Sequence, residues 1–172
     1  MLLISASYDA DLDSRSLSFA SQNVVRNNLS HRIALHQNLS QLILPPAILD
    51  SGGNYSFIMT NPPFYSSRDD IQASSSFKSK APSGKCFGTD NEMIASGGEL
   101  SFLRQYLSES MQMKDRVQWF TTLVGKKADF SQFHMTLKST PDLSNIKVAS
   151  MHLGLTKRWL VAWSWHPLAK NT

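Results

Sequence analysis

The stretch YSFIMTNPPF, residues 55–64, constrains the fold more than any other. Six residues suited to a strand run into Asn61, and Pro62 and Pro63 follow at once. Two successive prolines offer no N–H to a neighbouring strand and fix φ, so the ladder has to stop there. One strand end must therefore hold an amide side chain, a rigid turn and the ring of Phe64.

The flanking sequence supplies the rest of an α/β pattern. Residues 2–8 (LLISASY) read as a strand, followed by Asp9, Asp11 and Asp13. Ser14 is a candidate N-cap. Leu17, Ala20 and Val24 then share one helical face, and RNNLS ends that helix near Asn28. HRIALHQ (31–37) and YSFIMT (55–60) are the next strands, the second preceded by the turn SGGN. Strand, helix, strand, strand with short connections implies an α/β sheet covered by helices. Residues 65–98 are rich in Ser, Gly and Lys and are expected to form a long, mobile substrate loop. A helix is expected over 99–113, a strand over 117–125 and a helix over 130–138. IKVASMHL (146–153) and RWLVAWSWH (158–166) should pair as an antiparallel hairpin around GLTK. At 172 residues the whole chain, 1–172, reads as a single domain.

Several function classes drop out. One cysteine permits neither an intrachain disulfide nor a cysteine-based zinc cluster. The five histidines lack ligand spacing, so no metal is expected. No apolar stretch approaches the ~20 residues that span a bilayer. MLLISASYDAD reaches acidic residues too soon for a signal peptide, so no membrane partner is expected, and the chain is placed in nucleus or cytoplasm. The net charge of +4 suits a polyanion such as RNA without requiring one.

Three groups of residues can carry chemistry. In an open α/β sheet, ligands bind beyond the carboxyl ends of the strands, which is where Asn61 sits. Its amide oxygen and the Pro62 carbonyl are two acceptors able to converge on one amino group. Phe64 supplies a face on which a base can stack. The target of such a pair is a planar amine, such as adenine. The competing structural reading is a strand closed by a Pro-Pro turn, with Phe64 in the core. Second, an acidic residue of DADLD (9–13) can accept ribose hydroxyls at a strand end. The same carboxylates would also suit a helix N-terminus. Third, Lys114, Arg116, Lys126, Lys127, Lys138, Lys147, Lys157, Arg158 and Lys170 are interleaved with Trp119, Trp159, Trp163 and Trp165. Such a surface can bind RNA by phosphate contacts and stacking. For Trp119 and Trp163, lying within apolar strands, the core reading is the stronger.

Longer stretches carry a resemblance. FASQNVVRNNL (19–29), FIMTNPPFY (57–65), NEMIASGGELSFL (91–103), LSESMQMKDRVQWFTTLVGKK (107–127) and GLTKRWLVAWSW (154–165) together resemble the methyltransferase-like protein 16 group, which includes the bacterial RlmF ribosomal RNA enzymes. The resemblance implies a class I S-adenosylmethionine-dependent methyltransferase, a Rossmann-like sheet with helices on both faces. It also implies methylation of the N6 amine of an adenosine in structured RNA, a U6 small nuclear RNA-like hairpin or ribosomal RNA. By the same resemblance Asp11 holds the cofactor ribose, and Asn61, Pro62, Pro63 and Phe64 form the catalytic turn, with Asn61 also facing the cofactor. Gly97, Gly98 and Glu99 match the group's Gly-Gly-Glu helix start at the border of the site. Lys126 and Lys127, with Lys157 and Arg158, match its RNA-binding Gly-Lys-Lys and Thr-x-Arg-Trp segments.

Two departures accompany the match. The group carries a first strand and a glycine-rich turn ahead of the acidic residue, and no Gly-x-Gly precedes Asp11. The expectation is thus an N-terminally truncated member whose own activity is in question. Leu155 stands where the group usually has an arginine. The alternatives are a catalytically impaired RNA-binding remnant, or a DNA-adenine or protein-glutamine methyltransferase, which also use Asn-Pro-Pro-aromatic turns.

Overall fold

The computed structural model describes residues 7–63, 97–154 and 156–167. Phe64, most of the expected 65–98 loop, Leu155 and the beginning of the expected first strand lie outside them. The chain gathers into two compact units, Met1–Gly53 and Asn54–Thr172.

In the unit Met1–Gly53, β1 (Ser7–Asp11) pairs in parallel with β2 (Ile33–Gln37), with Ser7 opposite Ile33 and Asp11 opposite Gln37. Between them runs α1 (Ser14–Arg26). Its cap is Asp13, not Ser14: the Asp13 carboxylate accepts from Arg15 N at 3.1 Å and Ser16 N at 3.2 Å. Those donors are orphaned at any helix start, which is why a carboxylate in extended backbone is favoured one residue before the first turn. They also hold the Asp13 carboxyl below its ordinary range. A short helix α2 (Pro46–Leu49) opens on a proline, whose missing N–H costs nothing at that position.

In the unit Asn54–Thr172 a four-stranded sheet has the order β3-β4-β6-β5. β3 (Tyr55–Thr60) and β4 (Val117–Val124) are parallel, with Thr60 opposite Thr122. β6 (Thr156–Ser164) runs antiparallel to β4 and to the edge strand β5 (Asn145–Leu153). The expected hairpin forms, turning at Gly154 with φ of 60°. Helix α3 (Gly98–Ser110) continues into a 3-10 turn over Met111–Met113, and α4 (Lys127–Ser139) starts three residues before the expected 130.

The core of this unit lies between the sheet and these two helices. Leu103, Tyr106, Phe120, Phe133 and Trp163 are all wholly inaccessible to solvent. The Trp163 ring meets Tyr106 edge-on at 5.0 Å and Phe133 edge-on at 5.6 Å, and stacks on Phe120 at 5.9 Å. These geometries suit the ring quadrupoles and add to the area buried. Ser110 satisfies both neighbouring indoles: its Oγ accepts from Trp163 Nε1 at 3.0 Å and Trp165 Nε1 at 3.1 Å. Trp119 departs from the core expectation. It is half-buried, and the Lys147 ammonium lies 4.9 Å from its ring centroid.

Candidate active site

Because β3 and β4 are parallel, their carboxyl ends leave the sheet at the same edge. β3 exits into Asn61, Pro62 and Pro63; β4 exits into Gly125, Lys126 and Lys127. The two exits are tied by their last paired residues, Thr60 Oγ1 donating to Thr122 Oγ1 at 3.1 Å. Upstream, the Ile58 carbonyl accepts from Thr121 Oγ1 at 3.2 Å and from the buried Tyr106 hydroxyl at 3.3 Å. β3 is thereby fixed to both β4 and α3. Pro62 is buried, Pro63 half-buried and Asn61 exposed. The rigid turn is anchored while its amide faces outward.

Gly97, Gly98 and Glu99 come to the same edge. Gly97 (φ 79°) and Gly98 (φ 71°) occupy the left-handed region, and a Cβ on Gly97 would stand 2.7 Å from the Ser101 Cβ. Only glycine fits there without strain. This backbone turns Glu99 inward, where it is 1% exposed. Its carboxylate accepts from Gly125 N at 2.6 Å and from Lys126 N at 3.0 Å. Burial raises the Glu99 pKa to about 7, against the lowering effect of those two N–H groups, and Asp129 in the first turn of α4 adds to the rise by hydrogen bond and charge.

Arg158 closes the arrangement from β6. Val124 lies opposite Trp159, and Arg158 Nη1 donates to the Gly125 carbonyl at 3.2 Å. The Gly125 residue is thus held at its N–H by Glu99 and at its C=O by Arg158. Next along β6, the Lys157 ammonium lies 5.6 Å from the Trp159 ring centroid. Trp159 stacks on Phe130 at 5.2 Å, and Phe130 on His134 at 5.6 Å. Lys126 and Lys127 are exposed at the start of α4.

Of the site residues expected from sequence, Asn61, Pro62, Pro63, Gly97, Gly98, Glu99, Lys126, Lys127, Lys157 and Arg158 all belong to the unit Asn54–Thr172. The edge where β3 and β4 exit gathers the strand ends, the α3 start and Arg158. Asp11 belongs to the unit Met1–Gly53. It ends β1 at the carboxyl edge of the β1–β2 pair, and its Oδ1 accepts from Asp13 N at 2.9 Å. Two features escaped the sequence reading: the Glu99 tether to Gly125 and Lys126, and Asp129 beside it. The only signal was a glutamate directly after two glycines. A cleft of about 380 Å³, lined by residues including Tyr55, Asp115, Arg116 and His166, lies at the opposite ends of β3 and β4 and takes no part in this arrangement. Among the described residues no helix is long and apolar enough to cross a membrane, and no group of three or more His, Cys, Asp or Glu could hold a metal ion.

Comparison with known proteins finds relatives along nearly the whole chain. The U6 small nuclear RNA (adenine-(43)-N(6))-methyltransferase of Schizosaccharomyces pombe is 34% identical over 167 residues, covering 94% of this chain and 41% of the relative. A ribosomal RNA large subunit methyltransferase F of Pseudomonas putida is 31% identical over 170 residues, covering 93% and 54%. The chain spans about half the length of the curated relatives it matches. Among solved structures, the hMettl16 catalytic domain in complex with MAT2A 3'UTR hairpin 1 superimposes with a TM-score of 0.82 at 28% identity, over 94% of this chain and 56% of that one. The N-terminal domain of human METTL16 in complex with SAH gives 0.69 at 26% identity, over 94% and 52%. The α/β fold is that of a class I methyltransferase domain. The Methyltransf_10 family model, described as RNA methyltransferase, matches residues 6–167, and the chain belongs to that family.

Proposed function

We propose that this chain methylates the N6 amine of an adenosine in structured RNA, with S-adenosylmethionine as methyl donor. The observation that carries the reading is the meeting of the Asn61-Pro62-Pro63 turn with the Gly125–Lys126 exit, which Glu99 and Arg158 hold. An anchored turn with an outward amide is suited to gripping an extruded base, and the cations nearby are suited to phosphates.

Asn61 Oδ1 and the Pro62 carbonyl would accept the two hydrogens of the adenine amine. That orientation leaves the nitrogen lone pair pointing away from both acceptors. Positioning of this kind, with fixed dipoles around the reacting nitrogen, lowers the barrier without a strong base. Phe64 would stack on the base. Asp11, an acidic residue ending a parallel strand, has the acceptor oxygens that the hydroxyls of the cofactor ribose would donate to. When bound, S-adenosylmethionine supplies an electrophilic methyl group. Lys126, Lys127 and Lys157 would meet the RNA backbone. The RNA substrate class, with the single cysteine, supports a nuclear or cytoplasmic location.

The test is a substrate panel. The chain is incubated with methyl-labelled S-adenosylmethionine and, separately, a U6-like RNA hairpin, an adenine-containing DNA duplex and a glutamine peptide. Label is expected on adenosine N6 of the RNA. Label confined to DNA or peptide, or RNA binding without any transfer, would overturn the reading.

A further inference from the structure

We propose that Glu99 is a positioning residue whose carboxylate latches the β4–α4 junction beside the Asn61 turn, so that its protonation state sets the rate of RNA methylation. The inference rests on the RNA-adenine reading above and concerns how that site is held.

The geometry is specific. A side chain that is 1% exposed spends both oxygens on consecutive main-chain donors, Oε1 on Gly125 N and Oε2 on Lys126 N. Those N–H groups belong to the strand exit beside Asn61 and to the residue that caps α4. Both bonds are charge-assisted only while Glu99 is ionised, and such bonds are about twice as strong as neutral ones. A proton on Glu99 converts one acceptor oxygen into a hydroxyl. Asp129 in the first turn of α4 lies beside the carboxyl, where its charge opposes ionisation of Glu99 and its oxygens can accept from a protonated Glu99. Protonation would then loosen the grip on Lys126. The other charged groups gathered here are Lys126 itself, whose N–H Glu99 holds, and Arg158 from β6, which reaches the Gly125 carbonyl. Arg158 leaves the carbonyl side of Gly125 clamped in either state, so the change is confined to the N–H side. The glycine pair at 97–98 makes the inward turn of Glu99 possible, which accounts for two left-handed positions in succession.

Burial places the titration near neutrality rather than in the ordinary carboxylate range. The latch should therefore tighten across pH 6 to 8, a window in which an unburied glutamate is already fully ionised.

Two measurements on the same chain test this. The first is the pH dependence of the Gly125 and Lys126 amide proton shifts, which needs neither RNA nor cofactor. In the unaltered chain both amides should titrate together with a midpoint near 7. In Glu99→Gln, which keeps the shape and removes the charge, neither should move. The second is the rate of methyl transfer to the hairpin against pH. The unaltered chain should show a rising limb with the same midpoint, and Glu99→Gln should be slower and flat through that range. A merely structural glutamate would lower activity equally at all pH values. Should Glu99→Gln fail to fold, Asp129→Asn serves instead: it removes a cause of the raised pKa and should move both midpoints downward. Amides that do not titrate, a rising limb that survives Glu99→Gln, or midpoints unmoved in Asp129→Asn would each overturn the inference. Absence of methyl transfer by the unaltered chain at every pH would overturn the adenine reading itself, and the amide titration separates that failure from this one.

Discussion

Ser110→Ala is the substitution whose cost the structure specifies most fully. The Ser110 hydroxyl is inaccessible to solvent, accepts from the indoles of Trp163 and Trp165, and donates to the Leu107 carbonyl at 2.7 Å. Alanine keeps the backbone and nearly the volume but strands two buried indole N–H donors, Trp163 being 0% and Trp165 8% exposed. An orphaned buried donor costs about 1–3 kcal/mol, and the hydroxyl's own desolvation is recovered, so a net loss of about 2–4 kcal/mol is expected. The Leu107 carbonyl matters less, since it keeps its place in the helix. Urea denaturation followed by tryptophan fluorescence reports directly on these indoles. With a slope of about 2 kcal/mol/M, the midpoint should fall by roughly 1–2 M at unchanged slope. A loss below about 0.5 kcal/mol would show that Ser110 is no more than a packing residue and that water or another acceptor takes over the indole N–H groups.

Three further outcomes follow from the same geometry. Glu99 titrates near 7 in the folded chain against an ordinary 4.5. The folded chain thus binds this proton more tightly than the unfolded chain. Its stabilising contribution is complete below about 4.5 and is lost as pH rises through about 7, so denaturant midpoints should drop between pH 5 and 8 and Glu99→Gln should flatten that slope. Gly97→Ala forces a Cβ into the left-handed region and against Ser101. It should cost about 1–3 kcal/mol, read as a lowered Tm; an unchanged Tm would refute the close approach. Lys157→Ala should lower RNA affinity and reduce the slope of log K against log salt by about 0.7–0.9, whereas an unchanged slope would remove Lys157 from the phosphate contacts.

Much of the carboxyl edge was legible in the sequence because it is written in local signals. The prolines after Asn61 set the end of β3, and the glycine after Val124 marks the end of β4. The apolar hairpin strands announce themselves by β-branched and aromatic content around a tight turn. Boundaries were less legible where two residues compete for one role. Asp13 and Ser14 are both good caps, and only the extended backbone at Asp13 (φ −87°, ψ 114°) decides between them. β1 runs on to Asp11, three residues past the expected end at Tyr8, and Tyr8, Asp9 and Ala10 are exposed, so no apolar alternation marks that end. α2 is four residues long, too short to show a helical period. Trp119 lies in an apolar strand yet is half covered by a lysine from β5, a contact that only strand order reveals. The Glu99 tether spans 26 and 27 residues of chain, and its first-turn position has an ordinary explanation in the helix dipole. Such a long-range satisfaction of a buried carboxylate has no local signature.

The central claim is that the turn at the end of β3 orients an adenine amine for methyl transfer rather than merely closing a strand. The most direct measurement is a single-turnover rate of N6-methyladenosine formation in pre-bound RNA, for the unaltered chain and for Asn61→Ala. Asn61 is exposed and follows the last residue of β3, so its truncation leaves the core untouched. Loss of one preorganised polar contact to the reacting group should slow transfer by about 10²–10³-fold while RNA affinity stays within about threefold. An unchanged rate, or a loss of RNA binding that accounts for the whole effect, would contradict the account.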